Sequence, residues 1–132
     1  MAASETASHR AVLAATGASD KLAADLVALD VSDQITLTDV FLICSGRNER
    51  MVQAIADEVE ERLLADGAKR LRQEGRAEGR WILLDFGDVV VHVFHEEERL
   101  FYQLERLWRD CPLISLPAEL LDSGGANTQE GL

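Results

Sequence analysis

The sequence predicts an α/β (α+β) domain, a mixed sheet of about five strands packed with helices, on the strength of three observations. Residues Asn48 to Leu63 carry apolar side chains at helical spacing, the stretch RWILLDFGDVVVHVF places a two-residue turn between two strand-like runs, and the elements around them follow the order ααββαβββα rather than a strict βαβ alternation. The length of 132 residues suits one domain with one core. We divide the chain into an N-terminal helical extension (1–18), the α/β domain (19–117) and a disordered tail (118–132).

Thr6 to Ala15 is alanine-rich and reads as a helix that Gly17 stops. Ser19 or Asp20 then caps a second helix over Lys21 to Leu29, in which Leu22, Leu26 and Leu29 share a face. Strands are expected at Val31–Leu37 and Val40–Ser45, both β-branched and apolar-rich. Asn48 is a good N-cap for the clearest amphipathic helix, with Val52, Ile55, Ala56, Val59 and Leu63 on its inner face and Gly67 at its end. Three more strands follow at Lys69–Arg72, Arg80–Phe86 and Val89–Phe94. The last helix is expected from Glu96 to Arg109, opening with three glutamates at the positive end of the helix dipole and carrying an apolar stripe of Leu100, Leu104, Leu107 and Trp108. The tail from Ser123 to Leu132 has several glycines and almost no apolar residues and is expected to be disordered.

The Gly87-Asp88 turn sets the register of the hairpin. Phe86 then faces Val89, Leu84 faces Val91 and Ile82 faces Val93, and these six form a uniformly apolar side that belongs to the core. On the other side Asp85 faces Val90, Leu83 faces His92 and Trp81 faces Phe94. That side has two readings. Either a helix covers it and its two polar groups find local hydrogen bonds, or it is a recognition surface with Trp81 as anchor, Asp85 and Asp88 as charge, and Leu83 and His92 as accessory contacts.

Composition narrows the function classes. The apolar runs are too short to span a bilayer, and Glu5, His9 and Arg10 interrupt the start where an export signal needs an apolar stretch, so a cytoplasmic protein without membrane contact is expected. The net charge of −11 disfavours nucleic acid as the primary contact and suits either a basic partner or simple solubility. The basic stretch from Lys69 to Arg80 reads as a solvated strand and loop, with an accessory RNA contact as the sharper alternative. Cys44 and Cys111 form no framework or C-x-x-C pair, and Cys44 sits in an apolar run as a buried thiol. His92 and His95, three apart in a strand, point to opposite faces and do not make a joint metal site. With no converging carboxylates and no nucleophile beside a base, no catalytic residue, metal or cofactor is expected.

The runs Leu29-Asp30-Val31, Thr38-Asp39-Val40-Phe41-Leu42-Ile43-Cys44-Ser45-Gly46 and Val52-Gln53-Ala54-Ile55-Ala56 resemble the first half of ribosomal silencing factors of the Iojap family. Glu74-Gly75, the hairpin from Arg80 to Phe94 and Leu104-Glu105-Arg106-Leu107-Trp108 match the second half more closely, so the resemblance spans Lys21 to Trp108. It implies a nucleotidyltransferase-like fold without that activity. It also implies binding to the large ribosomal subunit through ribosomal protein fourteen, obstruction of small-subunit joining when nutrients are scarce, and homodimers of the free protein. By position the family's contact region falls on Trp81, Asp85, Phe86, Gly87 and Asp88. The chain departs from the family after Ser45-Gly46, where the small hydroxyl residues and a histidine give way to Arg47-Asn48-Glu49-Arg50-Met51 with only Arg50 kept in place, although Asn48 preserves the cap. The competing classes are an enzyme that transfers nucleotides on the same fold and an acidic module that self-associates through the hairpin face.

Overall fold

A computed structural model describes residues 2–121. The chain runs α1 (Glu5–Asp20), β1 (Ala24–Asp30), β2 (Val40–Gly46), α2 (Glu49–Ala65), β3 (Arg72–Glu74), β4 (Trp81–Asp85), β5 (Val89–His95), α3 (Glu96–Tyr102), α4 (Leu104–Leu107) and α5 (Ala118–Leu121). The strands make one mixed sheet in the order β1-β2-β5-β4-β3, with β2 and β5 parallel at its centre and the other pairs antiparallel. The mixed five-stranded α+β class expected from the sequence is therefore found.

Both central strands are buried along their whole length, because each face of the sheet is covered. On one face lie α1 and α2. Ala7, Ala11, Ala14, Ala15 and Ala18 of α1 join Val52, Ile55, Ala56, Val59 and Leu63 of α2 in a core cluster with Leu42, Ile82, Leu84, Val91 and Val93. Helix α2 has the face read from its spacing and the expected cap, with Asn48 Oδ1 accepting from the Met51 amide at 2.8 Å. On the other face Leu29, Val31, Phe41, Ile43, Val90, Phe94 and Cys111 form a second cluster, over which Ile35, Leu104 and Trp108 pack.

The N-terminal third differs from expectation. One helix, α1, runs through Gly17 instead of ending there, because a Cβ at Gly17 would lie 3.0 Å from Arg62 Cγ and the glycine serves close helix packing. The second helix expected over Lys21 to Leu29 is not found, and residues 24–30 form β1 instead. Leu26 and Ala28 enter the first cluster and Leu29 the second, so a strand buried on both faces shows no alternation to distinguish it from a helix. The strand expected at Val31–Leu37 is a loop, in which the Val31 carbonyl accepts from the Gln34 and Ile35 amides. Helix α1, drawn from sequence as an extension, is thus part of the core.

Two further differences shape the surface. The edge strand β3 pairs Arg72 with Asp85, Gln73 with Leu84 and Glu74 with Leu83, slightly later than expected, and its three residues are all exposed and leave no burial pattern to read. The final helix is broken at Gln103, whose φ of 48° is left-handed, so Leu104 and Trp108 reach the second face while Leu100 and Leu107 stay 72% and 75% exposed. The expected single stripe is divided. Residues 112–114 then run along the free edge of β1, through Asp30 N to Pro112 O and Ile114 N to Ala28 O, both 2.8 Å. The disorder expected from residue 118 does not hold at its start, where Ala118–Leu121 form α5 and bury Leu120 in the first cluster, and the expectation for Ser123–Leu132 falls outside the described residues. Among the described residues no helix is long and apolar enough to cross a membrane.

Candidate functional site

The β4–β5 hairpin has the register the turn dictates. Trp81 pairs with Phe94, Ile82 with Val93, Leu83 with His92, Leu84 with Val91 and Asp85 with Val90, and the Phe86 amide donates to the Val89 carbonyl at 2.9 Å. Gly87 takes φ 89°, the left-handed first position of such a turn, and Asp85 Oδ1 braces it by accepting from the Gly87 amide at 2.9 Å. Ile82, Leu84, Phe86, Val89, Val91 and Val93 lie in the first core cluster, as their alternation requires.

The opposite side is covered only in part, because the cover from α4 and the residues after it extends over β5 and stops at β4. Val90, His92 and Phe94 are buried, whereas Trp81, Leu83 and Asp85 form a half-buried strip. The strip borders a shallow groove of about 250 Å³ lined by Glu74, Gly75, Trp81 and Leu83. Trp81 is held rigidly. Its indole stacks on Phe94 with centroids 4.7 Å apart, meets Tyr102 at 4.9 Å, and donates from Nε1 to His92 Nδ1 at 3.2 Å.

That hydrogen bond fixes His92 as the neutral tautomer with its proton on Nε2, which is buried and has no partner among the described residues. Burial pushes its pKa down from 6.5 to about 4. The folded state therefore binds the proton more weakly than the unfolded state, so the stability contributed by neutral His92 is complete above about pH 6.5 and is lost as pH falls toward 4. We expect the melting temperature to drop over this window and the drop to shrink in His92→Phe. An unchanged pH profile in the variant would show that other groups cause it.

The remaining sequence candidates divide. Phe86 and His92, each 4% exposed, are core residues that position the turn and Trp81 and offer little surface to a partner. Asp88, at the tip, is paired with Arg10 Nη1 of α1 at 3.2 Å, and its carbonyl accepts from the Asp39 and Val40 amides. Asp85 has no ion pair among the described residues and is the free acidic group of the strip. Tyr102, 47% exposed, adjoins Trp81, and Phe101, 79% exposed, packs on Tyr102; both were missed, because no glycine or proline marks the break at Gln103 that exposes them. The run Leu100-Phe101-Tyr102, too apolar for one stripe of a helix, was the available signal.

Little free positive charge remains in the basic stretch. Arg76 pairs with Asp57 and Glu60, Arg70 with Glu60, Arg72 with Glu74, and Arg80 is clamped by Glu49, Glu97 and Glu98 at 2.9–3.0 Å. The hydrogen bonds that Arg80 donates to these three carboxylates raise its pKa, that to Glu97 first, then those to Glu98 and Glu49. Burial pushes the Cys44 thiol up to about 12, so it carries no thiolate chemistry. Among the described residues no group of three or more His, Cys, Asp or Glu side chains is placed to hold a metal.

Residues 4–130 match the family described as "Ribosomal silencing factor during starvation". The chain is 47% identical over 104 residues to the ribosomal silencing factor RsfS of Bacillus subtilis, covering 79% of this chain and 88% of that protein. It is 30% identical over 106 residues to the mouse "Mitochondrial assembly of ribosomal large subunit protein 1", covering 75% of this chain and 46% of that one. A crystal structure from Bacillus halodurans superposes with a TM-score of 0.70 at 45% identity, over 79% of this chain and 94% of the other.

Proposed function

The chain belongs to the ribosomal silencing factor family, and from this we propose that it binds the large ribosomal subunit through ribosomal protein fourteen and sterically blocks joining of the small subunit. The family's description places silencing in starvation, and the name of the mouse relative ties that protein to the large subunit. The single observation that carries the site is the strip of Trp81, Leu83 and Asp85, the part of the sheet's second face that the chain's own cover leaves half open. A rigid indole beside a free carboxylate is suited to anchoring on a basic, partly apolar protein surface. The net charge of −11 speeds encounter with such a surface. Obstruction needs bulk and affinity, not covalent chemistry, so this reading has no catalytic residue and no cofactor. It places the protein in the cytoplasm, with the ribosomes it silences.

Co-sedimentation tests the partner. The protein is expected to travel with free large subunits on a sucrose gradient and not with small subunits, and absence from the large-subunit peak would exclude the proposal. Asp85→Asn keeps an oxygen for the Gly87 amide but removes the charge. It should weaken binding a few-fold, by about 0.5–1 kcal/mol, and less as salt is raised. Equal affinity at low salt would remove Asp85 from the contact.

A second reading concerns the free protein. Leu100, Phe101 and Leu107 form an exposed apolar surface on α3 and α4, suited to a homodimer off the ribosome. Light scattering should then show Phe101→Asp as a monomer where the parent is a dimer. A monomeric parent would exclude this reading without touching the first.

A further inference from the structure

A cavity of about 560 Å³ opens where β1, the α3–α4 break and α5 meet, away from the groove beside Trp81. Two departures from regular backbone converge on it. β1 is irregular between Ala24 and Val27, where Asp25 takes φ 54°, and Gln103 takes φ 48° between α3 and α4. Two of the three non-glycine residues with left-handed backbone among the described residues thus line one cavity, and both bulges and such strain concentrate at functional sites. The cavity also adjoins the carboxyl end of β2, since its Arg99 is tied to Ser45 near the end of that strand.

Arg99 is the chemical centre. It is only 7% exposed, its Nη1 donates to Ser45 Oγ at 2.7 Å, and its Nε donates to Glu105 at 3.1 Å. Nη2 has no hydrogen-bond partner among the described residues. A buried guanidinium with part of its planar fork unused is matched by a carboxylate or phosphate oxygen.

The surrounding charges decide between those ligands. Arg99 and Arg106 are balanced by Asp25 and Glu105 around the same cavity. A polyphosphate would meet those two carboxylates and the net charge of −11, whereas a zwitterion satisfies both signs. Apart from Gln103, whose Oε1 accepts from Arg106, the rest of the lining is aliphatic, from Leu26, Val27, Leu100 and Leu121, of which Leu100 and Leu121 are 72% and 48% exposed. We propose that this cavity binds a free α-amino acid with an aliphatic side chain. Its carboxylate meets the open edge of Arg99, its ammonium lies between Asp25 and Glu105, and its side chain covers the leucines.

Calorimetric titration of the full chain tests this with L-leucine as probe, beside isocaproate (no ammonium), isoamylamine (no carboxylate), inorganic phosphate and a nucleoside triphosphate. Saturable one-site binding of leucine is expected, with both half-ligands weaker by at least about tenfold, as befits loss of a charged hydrogen bond. Asp25→Asn keeps a residue type tolerant of left-handed backbone, and Arg99→Lys keeps the charge but not the fork. Each should weaken leucine by about tenfold while the melting temperature without ligand shows both variants folded. Three results would overturn the proposal: no saturable heat with millimolar leucine, tighter binding of phosphate or the triphosphate than of leucine, or full leucine affinity in both folded variants. If Arg99→Lys does not fold, Asp25→Asn decides.

Discussion

Trp81→Ala is expected to weaken binding to large ribosomal subunits about thirtyfold, on the order of 2 kcal/mol, the usual cost of truncating an aromatic anchor. Trp81 fits that role because it is both accessible and immobilised. Phe94 behind it, Tyr102 beside it and His92 holding Nε1 fix the ring before any partner arrives, so little rotamer freedom is lost on binding. The same contacts mean the substitution also loosens the fold, so affinity is to be measured where circular dichroism shows the variant native. Trp81→Phe, which keeps the stacking but releases His92, should retain most of the affinity. Undiminished binding by folded Trp81→Ala would remove the strip as the contact surface.

Gly75→Ala is expected to be the most destabilising small substitution near the site, by on the order of 3 kcal/mol, lowering the melting temperature by roughly 10 °C. Gly75 follows β3 with φ 81°, and a Cβ there would sit 2.0 Å from the Trp81 carbonyl oxygen. The clashing atom is backbone within a sheet and has nowhere to move, so β3 would detach from β4 and the wall of the groove beside Trp81 would be lost with it. Ribosome binding should fall alongside stability. A thermal melt within a degree or two of the parent would show that the turn has another conformation open to it.

The elements legible in the sequence are those specified by neighbours. The amphipathic face of α2 and the hairpin register each follow from a local period, and both are found. Distant contacts override local signals elsewhere. Gly17 looks like a helix stop until Arg62 of α2 is placed against it, and Leu26 and Leu29 look helical until two core clusters divide them. The final helix looks continuous until Trp108 is drawn onto Phe41, with ring centroids 5.5 Å apart. The site was legible to a similar degree. Alternation separated Trp81 and Asp85 from Phe86, which family position had added to the contact region and which lies in the core. It could not show that His92 is sealed under Phe41 and Trp81, nor that Arg10 neutralises Asp88 from 78 residues away.

Silencing by obstruction makes one kinetic demand, which light scattering of purified subunits measures directly. Large subunits incubated with the protein before small subunits are added should join more slowly and to a lower final extent, and Trp81→Ala at the same concentration should restore joining. Normal joining on large subunits shown by sedimentation to carry the protein would contradict the account, because the bound chain would then lie outside the path of the small subunit.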